Sequence, residues 1–154
     1  VIRELIKSFT WSEIEMMITV PETHRDLLEQ SVVVTIATVA ADGQPFTAAV
    51  WRRWDGEFVR IVTDPKSRKY RNIQANAKVS ILAQNAGSER YLALNGVVER
   101  AISERAEMFA ELDVLTKMYT GKDHYYGDVE PIENQATASF VVLLIRPERF
   151  YKFG

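Results

Sequence analysis

Residues 59–73 read Val59-Arg60-Ile61-Val62-Thr63-Asp64-Pro65-Lys66-Ser67-Arg68-Lys69-Tyr70-Arg71-Asn72-Ile73. A strand should end here and a helix begin. Val59, Ile61 and Val62 are β-branched, which suits a pleated, half-buried surface. Asp64-Pro65 stops the strand, because proline has no N–H for the ladder and a fixed φ. Ser67 is the predicted N-cap of a helix over 67–75. Four cations fall between Lys66 and Arg71, in a chain of formal net charge −2. The first helical turn carries unpaired N–H groups and the positive end of the macrodipole, so cations there work against the helix. An anion at this corner, a phosphate above all, accounts for the arrangement. A solvated helix face with clustered basic residues accounts for it as well. The residues alone leave both open.

Upstream, Ser31–Ala40 and Pro45–Arg53 read as strands joined by the turn Ala41-Asp42-Gly43-Gln44. Trp54-Asp55-Gly56-Glu57 is a second turn of the same chemistry, and Phe58–Thr63 is expected to complete a three-stranded meander. Downstream, strands are expected at Ala77–Gln84, Glu89–Ala101, Ala138–Arg146 and Arg149–Phe153, with Pro147-Glu148 as a corner between the last two. Gly96 within its strand marks a bulge or a close backbone approach. Residues 103–119 carry the clearest helical pattern, with Ser103 as cap, an apolar stripe of Met108, Phe109, Leu112, Leu115 and Tyr119, and Gly121 just past the end. Residues 22–30 read as a short helix with Leu27 and Leu28 inward, and 122–135 as an irregular loop. At the start, Ile2, Leu5, Ile6 and Phe9 fall at helical spacing, as do Trp11, Ile14 and Ile18. Pro21 breaks that pattern. The expected organisation is an N-terminal arm over 1–23 and a domain over 24–154. The fold class is mainly β with flanking helices, a closed or partly closed antiparallel barrel of six to seven strands.

Composition excludes several functions. The chain of 154 residues has no cysteine and two histidines, His24 and His124. Thiolate chemistry, disulfides, cysteine-held clusters and a three-histidine metal site are therefore ruled out. No metal site is expected. The near-neutral charge argues against a general nucleic-acid partner. No apolar run approaches the ~20 residues that span a bilayer, and no signal peptide is visible. No membrane role and a cytoplasmic location are the expectations.

The chain resembles the split β-barrel flavin and deazaflavin oxidoreductases, the superfamily of pyridoxamine 5′-phosphate oxidase, sometimes called FMN-binding split barrels. Four stretches carry the likeness in order: Thr35–Val39 running into Asp42-Gly43-Gln44-Pro45, Ala49-Val50-Trp51 before Trp54-Asp55-Gly56, Thr63–Asn72, and Arg90-Tyr91 leading to Gly96-Val97-Val98-Glu99. Tyr119-Thr120-Gly121 and Ile145-Arg146-Pro147-Glu148-Arg149-Phe150 add to it, so that it covers roughly residues 24–152. Lys69-Tyr70-Arg71-Asn72 and the tail are most similar to the branch that uses coenzyme F420. Ser67-Arg68-Lys69 is equally similar to the FMN-binding branch.

The resemblance implies a homodimer with two cofactor sites at the subunit interface and a small-molecule substrate. It implies phosphate contacts from Thr63, Ser67, Arg68, Lys69, Arg71 and Asn72, and a ring lying along Ala49, Val50 and Trp51. Trp51 also fits an ordinary core or interface aromatic. The cofactor would supply the hydride chemistry, so no catalytic triad is expected, and no catalytic residue is assigned. His124, Tyr125 and Tyr126 are placed near the pocket mouth, where His124 has the range for proton transfer. The basic residues by which the oxidase branch holds pyridoxal phosphate have no match here. The first expectation is an F420-dependent reductase with a basic groove built from Arg52, Arg53, Lys66, Arg68 and Arg71. The alternatives are an FMN-dependent oxidoreductase and a non-catalytic flavin or haem binder.

Overall fold

The corner at Asp64-Pro65 folds as its residues require. In the computed structural model, which describes residues 15–154, strand β5 (Val59–Thr63) ends there and helix α2 (Arg68–Ala75) follows. Ser67 is the N-cap, in extended conformation, and its Oγ accepts from the backbone N–H of Tyr70. The other elements, in order, are β1 (Glu15–Met17), a 3₁₀ turn (Glu22–His24), α1 (Asp26–Glu29), β2 (Val34–Val39), β3 (Pro45–Val50) and β4 (Arg53–Trp54) before β5. After α2 come β6 (Lys78–Gln84), β7 (Tyr91–Ile102), α3 (Arg105–Thr120), a kinked turn α4 (Tyr125–Asp128), a 3₁₀ helix (Ile132–Thr137) and β8 (Val141–Phe153).

All strands are antiparallel, in the order β3-β2-β6-β7-β8-β5-β4, with β1 added on β8. Inward-facing residues of β2, β5, β6, β7 and β8 form one core. Ile36, Ile61, Ile81, Leu94, Leu143 and Ile145 are its centre, and Leu27 and Leu28 of α1 close it. This is the split-barrel architecture. The run Val141-Val142-Leu143-Leu144-Ile145 is buried at every position. Its odd residues face the barrel core. Val142 and Leu144 face away, under Met108 of α3, in a second cluster with Phe58. A continuous apolar run is the pattern of a strand covered on both sides.

Five local expectations change. The meander is absent: β3 and β5 do not pair, and β5 lies beside β8. The turn at Asp55-Gly56 instead joins β5 to the two-residue β4, because the chain leaves the sheet between Val50 and Arg53. The corner at Pro147-Glu148 is also absent. Strand β8 runs straight through, with Pro147 opposite Gly96 at a register shift that needs no proline N–H. The cap of α3 is Glu104, not Ser103; its carboxylate accepts from the N–H groups of Ala106 and Glu107. Residues 22–30 divide into a 3₁₀ turn and α1, with Leu27 and Leu28 buried as expected. The helical spacing over residues 1–18 lies mostly outside the described residues, but Glu15–Met17 is strand.

Gly96 holds the bulge for a steric reason. A Cβ there would lie 2.6 Å from the carbonyl oxygen of Arg146 and 3.1 Å from Ile145 Cγ2. Gly96→Ala is therefore expected to lower stability by about 1–3 kcal/mol, the cost of overpacking. The urea midpoint checks this, and an unchanged midpoint would mean that the bulge opens without strain.

Candidate functional site

Strand β3 ends at Val50, β5 ends at Thr63, and the first turn of α2 begins just beyond. These three ends meet beside α3. They enclose a cleft of about 340 Å³ lined by Ala49, Val50, Trp51, Val62, Thr63, Asp64, Ser67, Lys69, Leu112, Leu115, Tyr125 and Phe140. Larger hollows lie against β6 and β7 and against β1. The cleft is where the residues singled out from the sequence converge. Ala49, Val50, Trp51, Thr63, Ser67 and Lys69 all line it.

The polar end is built on the strand–helix corner. The Thr63 and Ser67 hydroxyls are 3.1 Å apart. Asp64 is tied into its own turn, its Oδ1 accepting from the N–H of Lys66 at 2.7 Å. Lys69 is half-buried and makes no ion pair with a described residue. Burial pushes its ammonium below its ordinary value, and the Asp64 charge offsets this in part. A half-buried cation with no ion pair among the described residues, offset only in part by Asp64 and next to the unpaired N–H groups of a helix start, favours an anion.

Trp51 forms another part of the wall. Its ring stacks on Tyr119 of α3 with centroids 4.9 Å apart and planes 10° apart. The Tyr119 hydroxyl accepts from Arg52 N at 3.1 Å and sits 3.0 Å from Val32 O and 3.2 Å from Arg52 O. The stack locks the end of β3 to α3, so the backbone beside the cleft is pre-set.

Three expected contacts fall outside the cleft. Arg68 is exposed, its guanidinium 5.6 Å from the centre of the Phe46 ring, and Arg71 is exposed too. Asn72 is buried and donates from its side-chain amide to Thr38 Oγ1 at 3.0 Å, docking α2 on β2. The proposed basic groove loses two members. Arg52 is wholly buried and donates from Nη2 to the Leu27 carbonyl at 2.5 Å. Desolvation pulls its guanidinium below the ordinary value. Arg53 is spent on Glu111. Lys66, Arg68 and Arg71 stay exposed.

Of the residues placed at the pocket mouth, Tyr125 lines the cleft. His124 is exposed and its Nδ1 lies 3.0 Å from Asp113 Oδ2. Tyr126 packs edge-on to Tyr125 and Phe109. Sequence reading missed Val62, Leu112, Leu115 and Phe140 as lining residues. Leu112 and Leu115 were visible only as a helix stripe, which does not tell a core from a cleft. Among the described residues, no cluster of carboxylate and histidine side chains can hold a metal ion, and no helix is long and apolar enough to cross a membrane.

Residues 20–154 match the family model described as pyridoxamine 5′-phosphate oxidase, and the chain belongs to that family. It is a member of the split-barrel flavin and deazaflavin oxidoreductase superfamily. A pyridoxine/pyridoxamine 5′-phosphate oxidase of Shewanella sediminis is 41% identical over 76 residues, 48% of this chain and 35% of the relative. The matched part thus spans about a third of that curated relative. A solved structure described as an F420 reductase is 34% identical, with a TM-score of 0.72, over 85% of this chain and 98% of that one. A conserved hypothetical protein of Mycobacterium tuberculosis is 26% identical, with a TM-score of 0.71, over 88% of this chain and 86% of its own.

Proposed function

We propose that the chain is an oxidoreductase that binds coenzyme F420 in this cleft, as one half of a homodimer, and reduces a small conjugated molecule. The observation that carries the reading is Lys69, a half-buried cation without an ion-pair partner among the described residues, at the start of α2, in a cleft whose far lining is apolar. The residues fit a phosphorylated, flat-ringed cofactor. Lys69, the Ser67 and Thr63 hydroxyls and the helix N–H groups supply donors for a phosphate. Arg68 and Arg71, exposed just outside, are available to a longer anionic tail. The Ala49–Trp51 backbone, held by the Tyr119 stack, offers an edge along which a polar ring can be oriented.

Bound in its reduced form, such a cofactor would supply a hydride and be left oxidised, and the acceptor would take one further proton to complete a two-electron reduction. The chain's own part is to bind, orient and exclude water. Val62, Leu112, Leu115 and Phe140 provide the apolar walls for that last task. The likeness to the F420 reductase supports F420 over FMN. FMN remains the second reading, because the donors around Lys69 suit any phosphate monoester or diester.

Parallel titration of the purified protein with F420 and with FMN, read by fluorescence, tests the proposal. Tighter binding of F420 is the expected result. Tighter binding of FMN would move the protein to the flavin branch, and binding of neither would overturn the enzymatic reading.

A further inference from the structure

Tyr125 reaches the cleft from a segment whose first residues are fastened to α3 by one carboxylate used twice. Asp113, one residue after the cleft-lining Leu112, uses both oxygens: Oδ1 accepts from the backbone N–H of Tyr125 at 2.9 Å, and Oδ2 lies 3.0 Å from His124 Nδ1. Two glycines with positive φ, Gly121 at 77° and Gly127 at 108°, bracket the segment and let the chain turn at each end. Among the described residues the segment is also tied to α3 by Lys117 Nζ to Asp123 at 2.7 Å, by the Lys122 N–H donating to Thr120 Oγ1 at 3.1 Å, and by the edge-on contact of Tyr126 with Phe109. The Tyr125 hydroxyl makes no hydrogen bond to a described residue.

We propose that Asp113 is a positioning residue that seats Tyr125 as a substrate-facing wall of the cleft, against a flat conjugated acceptor, with His124 as the second group held by the same carboxylate. The inference rests on the redox reading above. An aromatic wall beside Leu112, Leu115 and Phe140 suits a planar apolar substrate.

The seat is pH-dependent. The hydrogen bond and then the charge of Asp113 push His124 above its ordinary 6.5, and Asp128 and Asp123 add to this. Of the nearby cations, Lys117 faces Asp123, and Lys122 donates to the Asp128 carbonyl at 2.8 Å. A raised histidine value means that the ion pair is complete below 6.5 and is lost as pH rises through the higher value in the folded protein.

The test uses Asp113→Ala, Asp113→Asn and His124→Gln in the full chain, with reduced F420 as hydride donor (reduced FMN if FMN is the cofactor that binds) and menadione as acceptor. Asp113→Ala should speed exchange of the Tyr125 amide about ten-fold, whereas Asp113→Asn, which keeps an acceptor oxygen, should largely preserve its protection. Asp113→Ala should raise KM for menadione about ten-fold, with kcat and the cofactor Kd within about two-fold of the parent. The parent's KM should rise with pH across the His124 titration followed by NMR, and His124→Gln should abolish that rise. Faster Tyr125 exchange with unchanged KM would overturn the proposal. So would a cofactor Kd that moves as much as KM, since Tyr125 would then face the cofactor. If neither F420 nor FMN binds, the redox reading fails by itself. The amide exchange and the His124 titration still judge the anchor, and no change in either on Asp113→Ala would sink it.

Discussion

Glu111→Gln is expected to destabilise the fold by about 3 kcal/mol, the lower end of the cost of breaking a buried ion pair. Glu111 lies on α3 with only 6% of its side chain exposed. Its two oxygens accept from Arg53 Nε and Nη2, both at 2.8 Å, and one also accepts from Arg60 Nη1 at 3.1 Å. The carboxylate therefore joins α3 to β4 and β5 at once. Without it, two guanidinium groups, each about three-quarters buried, face each other with only Asp55, 3.4 Å from Arg60 Nε, to offset them. Water reaches them in part, which is why the lower end applies. The measurement is a urea melt, and a midpoint equal to the parent's would mean that solvent replaces the carboxylate. Replacing Glu111, Arg53 and Arg60 together by apolar side chains of similar size should recover part of the loss, because the desolvation of those charges disappears with them, while Asp55 loses Arg60 as its partner. The consequence extends to the cleft, since Leu112 and Leu115 reach it from the same helix.

Neutralising Lys69 and Arg71 together, as Lys69→Met with Arg71→Met, should weaken cofactor binding by at least about 2 kcal/mol, the scale of lost charge-assisted bonds. That is roughly a thirty-fold rise in Kd. The two residues do not share the loss equally. Lys69 lines the cleft in a half-buried position, whereas Arg71 is exposed on α2 and does not line it. Lys69→Met alone should therefore account for most of the effect, and Arg71→Met for a smaller, salt-sensitive part. Isothermal titration with F420 and with FMN separates these contributions. An unchanged Kd for Lys69→Met would place the phosphate away from the start of α2. A loss carried mainly by Arg71 would put it on the outer surface of that helix.

Much of the site was legible because it is local. Ser67 as cap, Asp64-Pro65 as the strand stop and Gly121 at the end of α3 are decided by a few bonds between near neighbours. Gly96 could be read as a close approach, although what approaches it, the Arg146 carbonyl, could not. Basic residues were harder. Arg52 and Arg53 look alike in sequence beside a predicted cofactor edge. Successive side chains diverge, and one enters the core under Leu27 while the other meets Glu111 from a helix 58 residues later. Charge composition carries no information about such partners.

The alternation of apolar residues and the turn chemistry at Gly43, Gly56 and Gly121 determined from sequence that this is a mainly antiparallel β domain with a basic strand–helix corner. Those signals act over two to four residues, where backbone sterics and single hydrogen bonds dominate. Tertiary structure alone decided that β5 joins β8 rather than β3, that Pro147 crosses the bulge at Gly96, and that Asp113 anchors the segment carrying Tyr125. Each of these depends on a partner distant in the chain. Pairing there is settled by the burial of both faces of β8 and by the carboxylate of Asp113, not by the local preferences of the residues themselves.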